Sequence, residues 1–94
     1  MRKDIVALEK LVKVNSKALA YAAAVEATQL AKYELDSAYV SWKLRNRVHA
    51  FIERDSYVWK AMLLGTDMYY RALRNAKARE RRAKLALLKS VEVS

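Results

Sequence analysis

Glu53-Arg54-Asp55-Ser56 is the stretch that divides this chain. Asp55 and Ser56 are short side chains whose oxygens can accept the orphan N–H groups at the start of a helix. From about Tyr57 to about Lys89 the chain reads as helix. The apolar positions there are Val58, Met62, Gly65, Tyr69, Ala72/Leu73, Ala76, Ala83 and Leu87, with steps near three and four that mark one stripe on a helix. The chain before residue 53 has its own stripe: Ile5, Leu8, Val12, Leu19, Ala23, Glu26, Leu30, Tyr33, Ser37, Val40, Leu44, Val48 and Phe51. This first stripe weakens at Asn15 and Ser16. Both are poor helix formers and either can cap a new helix. The reading is therefore a leading helical segment over 3–13, a first long helix over 16–54, and a second, basic helix over 57–89; helix continuing unbroken through Asn15 and Ser16 is the alternative for the first two.

Composition agrees with an all-α fold. The chain has 94 residues, no proline and one glycine, Gly65. A β-rich domain of that size needs several of both for its turns. Apolar residues form 54% of the chain, which argues against disorder. Two long helices joined by a short turn make an antiparallel hairpin within a single domain, residues 1–94. Because the turn contains neither glycine nor proline, helix running straight through it into one very long coiled coil is the competing arrangement.

A bare hairpin cannot cover its own apolar surface. Leu35, Tyr39, Trp42, Trp59, Leu63, Leu64, Tyr70, Leu85 and Leu88 all lie off the expected seam. Burying one Leu or Phe contributes ~1.5–3 kcal/mol, so the expectation is a homodimer that completes a four-helix bundle. Folding back of residues 3–13 as a third helix, or a different protein partner, would serve the same end. The alanines at 18, 20, 22, 23, 24 and 27 leave the first helix slim enough for close approach by a neighbour, although alanine also simply favours helix.

The formal net charge of +9 is concentrated late in the chain. Residues 71–89 hold eight Lys/Arg against one acid, Glu80, whereas residues 1–40 hold six against five. Such an excess favours anionic partners. Arg74, Lys77, Arg81 and Lys84 step by three or four and form a basic stripe, which Arg71, Arg79, Arg82 and Lys89 widen. Arginine outnumbers lysine there, and guanidinium suits bidentate contact with phosphate. The expected partner is nucleic acid, DNA or RNA, contacted through Arg71, Arg74, Lys77, Arg79, Arg81, Arg82 and Lys84, mainly without sequence specificity. If six to eight cations met phosphates, the log–log salt slope would be roughly −5 to −7. The bland alternative is a solvated basic face. Residues 57–73 can be forced into a helix-turn-helix with its turn at Gly65, but Thr66-Asp67 also continue a helix. No zinc-finger spacing, zipper repeat of several heptads or RNA-binding sheet motif is present.

A second expectation concerns Tyr39, Trp42 and Trp59. Aromatic rings near arginines can anchor a protein partner or stack bases. Equally, they can be core. On the anchoring reading, the chain is a small adaptor or inhibitor, of the accessory type that phages and plasmids carry, docking on an acidic protein surface or a nucleoprotein complex.

Catalysis is not expected. His49 is the sole histidine, with Glu53 four residues on. On a helix this spacing makes a surface pair worth a few tenths of a kcal/mol. A metal site would need more ligands, and phosphate-binding loops need more than one glycine. Cysteine is absent, so disulfides and thiolate chemistry are excluded. No cofactor is implied. The longest apolar run, Ala18 to Val25, falls far short of the ~20 residues of a membrane span. Charges at Asp4, Glu9, Lys10, Lys13 and Lys17 break up any signal-peptide core. A cytoplasmic protein is the expectation. An amphipathic membrane-surface role for 71–89 is weakened by the alanines on its apolar side.

Overall fold

The computed structural model describes residues 2–92, with side-chain environments from Asp4 to Glu92. All regular structure among them is helical: α1 (Arg2–Arg45), α2 (Tyr57–Gly65) and α3 (Asp67–Glu92). The chain forms two compact units. A terminal unit combines residues up to Thr28 with those from Ala76, and a loop unit holds Gln29–Asn75.

Helix α1 takes the continuous alternative and not a division at residue 15. It runs unbroken for 44 residues, through Asn15 and Ser16, both exposed. A few tenths of a kcal/mol of unfavourable propensity at each is too little to stop a helix flanked by strong formers. Residues 3–13 therefore do not fold back as a third helix. The helix also ends nine residues earlier than expected. Arg47 adopts a left-handed backbone with φ 54°. Its N–H donates to the Leu44 carbonyl (3.2 Å) and the Val48 N–H donates to the Lys43 carbonyl (2.9 Å). These are the paired bonds of a Schellman cap, with arginine where glycine is usual. The Asn46 side chain adds a bond to the Trp42 carbonyl. Val48 and Phe51 thus lie outside α1, and the non-helical segment before Tyr57 rules out one continuous coiled coil. His49 and Glu53 sit in that segment, so their four-residue spacing no longer makes them helical neighbours.

Ser56 caps α2 as its side chain suggests. Its Oγ accepts from the Trp59 N–H at 3.1 Å, an arrangement worth about 1 kcal/mol. The expected helix over 57–89 is interrupted once, at Thr66. Its N–H and its Oγ1 both donate to the Met62 carbonyl, at 3.0 and 2.7 Å. A hydroxyl competing for an i−4 carbonyl bends a helix. The Tyr69 and Tyr70 N–H groups then return to the Thr66 carbonyl, and α3 proceeds.

The faces in contact are not the ones the first stripe suggests. In the terminal unit α1 turns inward Lys10, Val14, Lys17, Tyr21, Ala24 and Thr28, and α3 turns inward Ala76, Glu80, Ala83, Leu87 and Ser90. In the loop unit the inward residues are Ala31, Leu35, Ala38 and Trp42 from α1, meeting Met62, Thr66 and Leu73, with Tyr69 at the edge. These residues step by three and four, the repeat of a coiled-coil seam, and Ala18, Val25, Ala27, Ala78 and Ala86 flank them half-buried. Most of these side chains are only half-buried. Among the described residues the buried apolar ones are Ala24 in the terminal unit and Leu35, Met62 and Leu73 in the loop unit. Meanwhile Ile5, Leu8, Val12, Leu19, Leu30, Tyr33, Val40 and Leu44, the stripe read from sequence, are all exposed.

Candidate nucleic-acid interface

The terminal unit concentrates positive charge. It holds eleven of the nineteen Lys/Arg and five of the ten Asp/Glu, hence six of the nine net charges. Helix α3 displays Lys77, Arg79, Arg81, Arg82 and Lys84 there, all exposed. Lys77, Arg81 and Lys84 share a groove with Tyr21 of α1 and Glu80. Arg79 and Arg82 lie elsewhere on the exposed circumference of the same helix. The groove follows from residue size: Ala76 and Ala83 face the seam, so the longer side chains at its margin stand proud and Tyr21 fills the space beside them.

Arg71 and Arg74 belong to the loop unit. Both are exposed, but Arg71 is engaged by its own helix, its Nε lying 2.7 Å from Asp67 Oδ2. This i,i+4 contact is the one side-chain ion pair among the described residues. Among the described residues of the terminal unit no Lys or Arg is in direct ion-pair contact with a carboxylate, although Glu80 and Glu9 line the two grooves beside them.

The sequence reading missed a second basic row. Lys10, Lys13 and Lys17 of α1 line a groove with Glu9, Val6, Lys89, Ala86 and Ser90. Their spacing of three and four was the available signal. It was obscured because Lys10 and Lys17 occupy inward-facing positions, where long stems lie along the seam and ammonium groups reach out to water. Tyr21 had no signal of its own.

Of the aromatic candidates, Tyr39 and Trp59 are brought together. They line one recess of the loop unit with Tyr70, Met62, Leu63, Arg54 and Asp67. Trp42 is on the α1 seam instead, its indole lying over Gly65. Burial raises the Tyr39 phenol above its ordinary value of 10.0, and the charges of Asp36 and Tyr70 push it the same way. A spectrophotometric titration of the wild type minus Tyr39→Phe should thus show a phenolate transition centred above pH 10. Folding holds this proton on, so the associated stability is complete below the unfolded value and is lost as pH rises through the folded one. A difference transition at or below the ordinary value would contradict the burial of this ring.

Among the described residues no group of three or more His, Cys, Asp or Glu is gathered as metal ligands would be, and no helix is long and apolar enough to cross a membrane. Comparison with protein-family models, curated protein sequences and solved structures finds no match for this chain.

Proposed function

We propose that the chain is a non-enzymatic binding module whose basic α3 meets nucleic acid phosphates, mainly without reading sequence. The observation that carries this is the excess of exposed cations in the terminal unit, with Lys77, Arg81 and Lys84 lining one groove beside Tyr21 and a single acid, Glu80. Cations that outnumber the nearby carboxylates attract phosphate, and condensed counterions are released on binding. Arginines add bidentate hydrogen bonds, and a tyrosine beside them offers a surface on which an unpaired base can stack. Lys10, Lys13 and Lys17 extend the same potential on α1. The module acts as a homodimer that completes a four-helix arrangement, because so few apolar side chains are buried within one chain.

The test is the triple change Lys77→Gln, Arg81→Gln, Lys84→Gln. Far-UV circular dichroism should be unchanged, since all three side chains are exposed. Duplex and single-strand affinity should fall, and the log–log salt slope should become shallower by roughly 2 to 3. Undiminished affinity at the same salt would remove α3 as the interface.

The recess of Tyr39, Trp59 and Tyr70 favours a second reading, an adaptor or inhibitor docking on a larger protein. Half-buried aromatic rings beside Arg54 suit an anchor pocket. Trp42, half-buried over Gly65, supports that reading less than Tyr39 and Trp59 do. Trp59→Ala would weaken an adaptor and leave phosphate binding intact.

A further inference from the structure

Helix α1 of the terminal unit is apolar on the side that faces away from α3. Ile5, Leu8, Val12 and Leu19 follow one another by three, four and seven residues on that side, each more than half exposed, Leu19 at 72%. None of them contributes to the seam, which uses Lys10, Val14, Lys17, Tyr21, Ala24 and Thr28. The chain exposes 7967 Å², whereas a compact monomer of this mass exposes about 5,500 Å². The excess of roughly 2,400 Å² is about three times the ~800 Å² that each partner contributes to a stable interface. Charge decides which surface is covered, and by what. Helix α1 between Asp4 and Arg45 has six Lys/Arg and five Asp/Glu, close to balance; α3 has eight and three. Two copies meeting through α3 would oppose like charges, but two meeting through the outer side of α1 bring together nearly neutral, apolar surfaces.

We propose that this outer face of α1 binds a second copy of the chain, and that the pair, with a basic α3 left outward on each copy, holds two nucleic acid segments at once. The first half stands on the apolar face alone. The second half rests on the phosphate-binding reading of α3. Such a pair would be a bridging element: identical surfaces meet in a closed, two-fold contact, and the two cation sets are carried on the helices that the contact does not use.

The experiment has two arms. Sedimentation equilibrium of the full chain at about 100 µM should give a dimer mass. Leu19→Glu should weaken self-association at least about 100-fold by placing an unpaired carboxylate in the contact. Residue 19 is already exposed within the chain, so circular dichroism of the variant at high salt should match the wild type. In the second arm, two populations of short duplex carry a donor and an acceptor dye. The wild type should produce energy transfer between them, and Leu19→Glu should bind single duplexes in a filter assay yet produce none. A wild-type monomer, as expected if a different protein covers this face, or an unweakened Leu19→Glu dimer, overturns the α1 contact. Dimers that bind duplex without energy transfer overturn bridging alone. Dimers that bind no duplex overturn bridging and the phosphate reading together, and leave the α1 contact standing.

Discussion

Leu35→Ala should lower the stability of this protein by about 2–5 kcal/mol, a large share of what a small domain has. The reason is how little else is buried. Leu35 is 6% exposed, and among the described residues it shares the status of buried apolar residue with Ala24, Met62 and Leu73 only. In the loop unit it is the inward residue between Ala31 and Ala38 on the α1 seam. Two small neighbours cannot collapse into the space left by an isobutyl group, so the cavity term is retained alongside the lost transfer energy. Leu30→Ala, one turn away on the outer face and 59% exposed, should cost much less within a single chain. Urea denaturation of both variants at matched protein concentration measures the contrast. Equal losses would mean that α1 packs on α3 by its other face.

Gly65→Ala should also destabilise, against the usual rule. In a helix the substitution normally gains about 1 kcal/mol. Here a Cβ would lie 2.8 Å from Nε1 and 2.9 Å from Cδ1 of Trp42. Trp42 would have to leave a seam position, and overpacking of that kind costs ~1–3 kcal/mol. We expect a net loss of up to about 2 kcal/mol, with a red shift of tryptophan emission as the indole moves into water. Stabilisation with unchanged emission would show that the ring yields freely and that the glycine is incidental. The expected cost explains the chain's single glycine: it serves close approach and not a turn.

The all-helical character was legible, because a chain without proline and with one glycine has few ways to turn. The Ser56 cap was legible from residue type. The end of α1 was not, since the left-handed position that closes it is held by Arg47, and arginine there carries none of glycine's signal. The interruption at Thr66 falls beside Gly65, where a turn was only the weaker of two readings: a threonine inside a helix looks ordinary until its hydroxyl takes the carbonyl four residues back. The pairing face of α1 was misread for a different reason. Two stripes run along this helix, and the one with larger apolar side chains is the more conspicuous. The seam uses Ala24, Ala31 and Ala38 with Thr28 and two lysines, residues that periodicity in hydrophobicity ranks low. Small side chains let helices approach, so the stripe that looks weaker makes the closer contact. For the candidate interface, the α3 cations were readable as an i, i+3, i+4 row. The groove with Tyr21 and the row Lys10, Lys13, Lys17 required knowing which face of α1 lies against α3.

The alanine-lined seam of the terminal unit has a dynamic consequence. With Ala24 as the one buried apolar side chain among its described residues, this unit has little to hold it closed. The loop unit has three buried apolar residues and a saturated Thr66. Opening free energies follow local burial, so amide protons of the terminal unit are the ones to exchange by partial opening, while those around Leu35 and Leu73 exchange only with global unfolding. The most basic surface of the molecule therefore sits on its softest part. Any anion that binds the folded form of that part tightens it, and occupancy of the groove and closure of the helix pair become two readouts of one equilibrium.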